Sequence, residues 1–314
     1  MEFVVKSHDV SNYSYGKYPG SRSVEELLHN GIIILDKWQG PTSRDVTSIV
    51  KKMFGLNKAG HCGTLDPHVS GILVICLENA CKIMPALQHL EKEYVGIMRL
   101  HNDVNEKELR KIVSEFTGKI RQKPPVRSAV ARKERVREVY DFNITEISGR
   151  NVLFRIKCEA GMYVRKLCHD IGLKIGGSHM SELRRVEAGS FDEGRAVRMH
   201  DIADAYMGWK EGGDESIRDF ILPVEAGIEH LKKVIIKDSA VYAVASGSPL
   251  YTGGVSRAEM GIMKNDLTAV MTLKGELVSI GKAQMPSEDM MKSKGIAVKT
   301  DRVIIDKNLY KREK

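Results

Sequence analysis

Residues 59–71 read Ala-Gly-His-Cys-Gly-Thr-Leu-Asp-Pro-His-Val-Ser-Gly, and an apolar run over 72–77 follows. Gly and Pro set backbone turns that other residues adopt only at a cost. Asp66 stands directly before Pro67 and is thereby biased to an extended or turn conformation. The stretch predicts a tight loop feeding a buried strand, with Asp66 displayed near the loop's end. Loops on a rigid scaffold are where reactive groups usually sit. An isolated Asp-Pro ordinarily only closes a turn. His61, Cys62 and His68 are metal-ligating types, but their spacing fits no common zinc pattern.

The flanking chain supplies the scaffold. Residues 31–36 read as a buried strand. Lys37-Trp38-Gln39-Gly40-Pro41-Thr42-Ser43 then turns into a helix cap. Val46, Ile49, Val50, Met53 and Phe54 recur at helical spacing up to Gly55. Beyond the Asp66 loop, Ala80, Ile83, Met84 and Leu87 predict a helix. Residues 92–100 alternate as a strand, with Tyr94 as a half-buried strand aromatic. Leu109, Ile112, Val113 and Phe116 mark another helix, closed by Gly118.

The next segment is the most basic one. Lys119, Arg121, Lys123, Arg127, Arg132, Lys133, Arg135 and Arg137 face only Glu134, and Pro124-Pro125 excludes one continuous helix. So one-sided a run is a candidate phosphate track. Residues 139–147 and 152–158 pair as a hairpin around 148–150. Val164, Leu167, Cys168, Ile171 and Ile175 form a buried helix face. Arg165 lies in that helix's first turn, where the dipole prefers acids; its place there suggests a fixed carboxylate partner. Taken alone, Lys37, Arg184 and Arg185 read as surface and Leu183 as core.

Residues 1–30 are polar and read as an extended arm without its own core. Residues 200–231 are mixed helical, with Gly212-Gly213 as a break and Pro223 as a boundary. Past them the pattern turns to β: a strand at 234–237, a short helix capped by Asp238 and stopped by Gly247, a hairpin over 266–281, and a strand pair over 294–305.

A chain of 314 residues suits about two domains. Its 49 Lys plus Arg against 41 Asp plus Glu leave a charge of +8, compatible with a polyanionic partner. Five scattered cysteines without a Cys-x-x-Cys pair read as reduced thiols with no structural zinc. The apolar runs are too short to span a membrane, and the N-terminus lacks a signal-peptide core. Gly-x-Gly-x-x-Gly and P-loop patterns are missing, so nicotinamide and nucleoside-triphosphate chemistries lose support.

The loop His61-Cys62-Gly63-Thr64-Leu65-Asp66-Pro67 with Ser70-Gly71 resembles the signature of the TruB family of pseudouridine synthases. Its wording from Gly63 to Gly71 is similar to the archaeal and eukaryotic dyskerin-like branch. Leu35-Asp36-Lys37 with Gly40-Pro41-Thr42-Ser43, then Lys92-Glu93-Tyr94, then Gly161-Met162-Tyr163-Val164-Arg165, and finally residues 179–185 also resemble family segments. The likeness runs over residues 31–305.

The resemblance implies a mixed α+β fold: a largely antiparallel pseudouridine-synthase sheet with flanking helices, plus a small C-terminal β-barrel-like PUA domain. The expected division is an arm at 1–30, a catalytic domain at 31–230, a PUA RNA-binding domain at 231–307 and a tail at 308–314. It implies isomerisation of uridine to pseudouridine in tRNA or rRNA, with Asp66 as the catalytic nucleophile and no metal, nucleotide or redox cofactor. Arg165 would pair with Asp66 and favour its charged form. Tyr94 would stack on the everted base, and Tyr163 and Leu183 would wall the pocket. His61 would help hold the everted RNA. Lys37 would support the loop and is counted among the substrate-binding set. The basic segment would lead into a mobile thumb over the RNA.

The branch further implies the catalytic subunit of an archaeal box H/ACA ribonucleoprotein. Its partners would be a guide RNA and small proteins: a zinc-ribbon protein, a glycine-arginine-type barrel protein and a kink-turn-binding ribosomal-type protein. A stand-alone tRNA synthase and an RNA-binding assembly scaffold are the alternatives. The chain lacks the long lysine-rich tails of eukaryotic dyskerin, which favours an archaeal, cytoplasmic protein.

Overall fold

The computed structural model of the chain describes residues 2–123, 133–292 and 294–311. In chain order it forms β1 (Phe3–Val5), α1 (Val24–Asn30), β2 (Gly31–Lys37), α2 (Ser43–Met53), β3 (Ala59–Cys62), β4 (Val69–Leu77), α3 (Met84–Gln88), β5 (Lys92–Leu100) and α4 (Glu106–Ser114). Then come β6 (Gly118–Gln122), β7 (Arg135–Ser148), β8 (Asn151–Cys158), α5 (Val164–Gly172), β9 (Ser178–Ala188), β10 (Phe191–Asp192), α6 (Met199–Gly212) and β11 (Leu222–Pro223). The C-terminal part holds β12 (Lys232–Ile236), α7 (Asp238–Ala245), β13 (Leu250–Tyr251), β14 (Val255–Glu259), β15 (Leu267–Met271), β16 (Leu277–Ala283), α8 (Ser287–Lys292) and β17 (Ile296–Val303).

The larger sheet runs β11-β2-β4-β9-β5-β8-β7-β6, with β3 on β4 and β10 on β9. Its pairs are antiparallel except β4 with β9. Strands β2 and β4 are apolar at successive positions because both their faces are covered. Ile33, Leu35, Leu73 and Ile75 pack with Val46, Val50, Ile202 and Tyr206 of the helices on one side. Ile32, Ile34, Ile72 and Val74 face the other way. Strands near the far edge are covered on one face and alternate instead, as β8 does. The smaller sheet runs β1-β14-β12-β15-β16-β17-β13. The two sheets share an apolar cluster, in which Ile32, Ile83 and Leu87 meet Ala269, Met271, Leu277 and Ile304.

Several sequence expectations need correction. The polar arm is bound along the smaller sheet. Its β1 pairs with β14, and Ser11 and the Asn12 amide both hydrogen-bond Asp238. Asp238 is thus the first residue of α7 rather than its cap. Residues 59–62 are a strand, because they pair with 74–77; the loop proper is 63–68. The helix expected from Ala80 opens as a 3-10 turn over Glu78–Ile83, and α3 starts at Met84 with Pro85 in its first turn. The C-terminal strand pair is one strand, β17, whose neighbours are β16 and β13. In the short tail, Tyr310 is buried and donates to Glu276 Oε2 at 2.6 Å. Pro124, Pro125, Arg127 and Arg132 lie outside the described residues.

Candidate active site

The Asp66 loop crosses from β3 to β4 and is held from beneath. Gly63 and Gly71, at its two ends, take φ of +84° and +99°, which side-chain-bearing residues rarely adopt. The amide of Val69 donates to the Asp66 carbonyl at 3.0 Å, and that of Gly40 to Pro67 O at 2.8 Å. Ser43, at the start of α2, donates to Leu65 O at 3.1 Å and accepts from Leu65 N at 2.8 Å. The loop's inward polar groups are therefore paired, and the Asp66 side chain projects outward, 44% exposed.

Lys37 belongs to this support and does not reach the cleft, contrary to its expected place among substrate-binding residues. It is fully buried, and its Nζ donates to Trp38 O at 2.7 Å, Val69 O at 2.9 Å and Pro67 O at 3.4 Å. Burial pushes the ammonium's pKa down from its ordinary value. An ammonium withdrawn from water needs such acceptors. The surface reading fails because three carbonyls turn inward where only a long cation can reach them.

Arg165 approaches from the first turn of α5, with Nη2 at 3.3 Å from Asp66 Oδ2. The start of α5 is fixed by a residue that sequence reasoning missed. Gln122, buried at the end of β6, accepts from Tyr163 N at 3.1 Å and donates to Tyr163 O at 3.3 Å. Nothing in the sequence marks this glutamine, since its partner is remote in the chain. Tyr163 is half-buried immediately before the helix.

Tyr94 and Leu183 lie in β5 and β9, which pair in the middle of the sheet. Leu183 is opposite Val69 on one side and Gly96 on the other. Gly96 is required by contact rather than by φ: a Cβ there would come within 2.8 Å of Leu183 Cδ1 and 2.6 Å of Phe154 Cζ. Leu65, Val69, Leu183, Met162 and Val164 form one apolar cluster, and Tyr94 packs against it. Burial raises the Tyr94 phenol's pKa, so it stays protonated at neutral pH. Asp66 and Arg165 thus pair beside an apolar floor that includes Leu183 and meets Tyr94, and Tyr163 opens the helix that carries Arg165.

His61 lies in β3, just before the Asp66 loop. Its Nδ1 lies 3.1 Å from Thr47 Oγ1 and its Nε2 3.3 Å from Thr64 Oγ1. Burial lowers its pKa, and the cationic Arg185 and Arg44 add to the shift. Among the described residues no group of three or more His, Cys, Asp or Glu is arranged to hold a metal. Cys62 and Cys76 are buried and unbonded, with their sulfurs 3.8 Å apart. No helix among the described residues is long and apolar enough to cross a membrane.

Arg185 overturns its surface reading: it is 1% exposed. Exposed cations do line the neighbouring β6–β7 hairpin, where Lys119, Arg121, Lys123, Lys133 and Arg135 all face solvent.

Comparison with known proteins extends these observations. Residues 51–108 and 101–164 match the model for the TruB family pseudouridylate synthase N-terminal domain. Residues 165–229 match the tRNA pseudouridylate synthase B C-terminal domain, 232–304 the PUA domain and 1–47 the DKCLD domain. A protein named "Probable tRNA pseudouridine synthase B" in Methanocaldococcus jannaschii is 45% identical over 99% of this chain and 94% of its own length. One of the same name in Methanopyrus kandleri is 48% identical, over 98% and 92%. A chain in the structure of a Cbf5-Nop10-Gar1 complex superposes with a TM-score of 0.91 at 47% identity, covering 98% of this chain and 95% of that one. A chain of an H/ACA RNP bound to a substrate RNA containing 2'-deoxyuridine superposes at 0.92 with 45% identity, covering 99% and 96%.

Proposed function

This chain belongs to the TruB family of pseudouridine synthases, and on that premise we propose that it isomerises uridine to pseudouridine in RNA as the catalytic subunit of an archaeal H/ACA guide ribonucleoprotein. The observation that carries the reading is the Asp66–Arg165 pair, 3.3 Å apart at the rim of an apolar floor that includes Leu183 and meets Tyr94. Related chains are known in a Cbf5-Nop10-Gar1 complex and in an H/ACA RNP with substrate RNA. Those complexes support a guide RNA and small protein partners for this chain.

The reaction breaks the bond from the ribose C1′ to N1 of the base and joins C1′ to C5. The proton on C5 leaves and N1 gains one, so no atom or electron is supplied from outside. The base must first be everted from its stack, which costs a few kcal/mol. Asp66 supplies the carboxylate that attacks or deprotonates the substrate. Arg165 orients that carboxylate. Tyr94 presents an aromatic face for stacking, Leu183 and Tyr163 bound the base, and Lys37 holds the loop from below. The exposed cations of the β6–β7 hairpin run outward from Gln122, hence from beside the cleft, and suit an RNA backbone.

On this reading residues 31–230 form the catalytic domain and 231–307 the RNA-gripping PUA domain; the first part of the arm lies along the latter, and its end, α1, packs into the core of the former. The buried, unbonded thiols suit a reducing compartment and so support a cytoplasmic site of action. The test is pseudouridine formation on a transcribed tRNA by the purified chain, with Asp66→Asn as control, repeated with guide RNA and partner proteins. Activity that the substitution abolishes while RNA binding persists supports the reading. Full activity in Asp66→Asn overturns it. Activity that appears only with guide and partners assigns the guided role, and activity without them the stand-alone one.

A further inference from the structure

Arg185 takes no part in the chemistry above, yet it heads the fully buried side chains in volume. Its strand, β9, lies between the two strands that carry the site. Across the antiparallel pairing Arg185 is directly opposite Tyr94, and across the parallel pairing it is opposite Gly71. Its Nε donates to Ile72 O at 2.7 Å and its Nη2 to Gly63 O at 3.0 Å. On the other side it stands directly opposite Tyr94 in the β5–β9 pairing, so the two side chains leave the same face of the sheet. Two glycines of the loop lie against it, one beside its backbone and one beside its guanidinium. A Cβ on Gly71 would fall 2.1 Å from the Arg185 carbonyl oxygen, and one on Gly63 would lie 3.4 Å from Nη1.

A guanidinium is planar and presents five donors in a fixed fork, whereas an ammonium is a single point of charge. Buried, charge-assisted hydrogen bonds are the strong ones. Gly63 opens the loop that carries Asp66, and Tyr94 is the proposed stacking face. One rigid group therefore bonds the start of the Asp66 loop and stands opposite Tyr94, the two parts that must hold a base between them.

We propose that Arg185 is a positioning residue of the isomerisation, clamping the start of the Asp66 loop to the Tyr94 hydroxyl so that carboxylate and aromatic face keep one separation. This rests on the roles assigned to Asp66 and Tyr94. Small displacements of reacting groups can cost about a hundredfold in rate. The clamp therefore acts on kcat and leaves substrate affinity nearly unchanged.

The experiment measures kcat and KM for Arg185→Lys, Tyr94→Phe and the double variant, in the assay where the unaltered chain is active, with thermal melts confirming folding. Arg185→Lys is expected to lower kcat by about 10- to 100-fold with KM within about twofold. The double variant is expected to be no slower than the slower single one, because each removes the same clamp. Unchanged kcat, a change confined to KM, or losses that multiply would each overturn the inference. If Arg185→Lys does not fold, Tyr94→Phe decides alone. It keeps the ring, so wild-type kcat there rejects the clamp, and slowed turnover with intact RNA binding supports it. An inactive Asp66→Asn beside a fully active Arg185→Lys rejects only the clamp. A fully active Asp66→Asn rejects the functional reading itself.

Discussion

Asp66 Oδ2 and Arg165 Nη2 stand 3.3 Å apart, and both side chains keep close to half their surface in solvent. An ion pair so exposed adds little to folding stability, because water solvates both partners when it is broken. Its value lies in direction: an arginine rooted in the first turn of α5 aims a carboxylate that is rooted in a loop.

Arg165→Ala should therefore separate stability from activity. Unfolding free energy should change by less than about 1 kcal/mol, while kcat falls by about a hundredfold or more. Urea unfolding and single-turnover assays on the same preparation check this. Destabilisation by several kcal/mol with normal turnover would show the pair to be a structural brace instead.

Much of this architecture is legible in the sequence because periodicity is local. The helix through Val46 and Val50, the hairpin around Gly149 and the strand of Tyr94 all follow from spacing. Arg165 could be flagged as well, since a cation in a first helical turn opposes the dipole. Lys37 and Arg185 could not be placed from the residues alone. Their burial depends on carbonyls of other segments turning inward, and no pattern along the chain records where a carbonyl points. Gln122 has the same character. The arm was legible as lacking a core, but its anchorage rests on pairing between Phe3–Val5 and a strand near the other end of the chain.

Lys37→Met should be costly in two ways. The buried ammonium bonds the carbonyls of Trp38 and Val69 and shares that of Pro67 with the Gly40 amide, and a thioether leaves the first two without it. Each buried orphaned acceptor costs about 1–3 kcal/mol. The expected loss is about 2–6 kcal/mol, together with weaker turnover because Pro67 and Val69 flank the Asp66 loop. Denaturant unfolding combined with kcat measures both; a variant as stable as the parent contradicts the support role.

Lys92 gives a pH dependence with a definite sign. Its Nζ is buried among the carbonyls of Leu87, Gln88 and Leu90. Burial, reinforced by Arg185, pushes its pKa down to about 8 from 10.5. Between those values the unfolded chain keeps a proton that the folded one has released. The stability contributed by this group is thus fully present above the unfolded value and is lost as pH falls through about 8. At one pKa unit per 1.4 kcal/mol, the span is about 3 kcal/mol. Going from pH 7.5 to 10, the unaltered chain should gain stability relative to Lys92→Met. A difference that stays flat or shrinks between these pH values would refute this.

The last test concerns the tie between arm and body. Arg22 and Glu225 pair at 2.6 and 2.7 Å, with side chains only 9% and 11% exposed. Glu225 Oε1 also accepts from Leu277 N at 2.8 Å, so the pair reaches into the smaller sheet through β16. Removing one partner of such a pair strands the other charge out of water, at about 3–5 kcal/mol. Arg22→Met should cost that much. Adding Glu225→Gln removes the stranded charge while keeping an acceptor for Leu277, so the double variant should recover at least about 1 kcal/mol. A double-mutant cycle on unfolding free energies reads the coupling directly. Strictly additive losses would mean that the two side chains stabilise the fold independently, and that the arm is fastened by its other contacts.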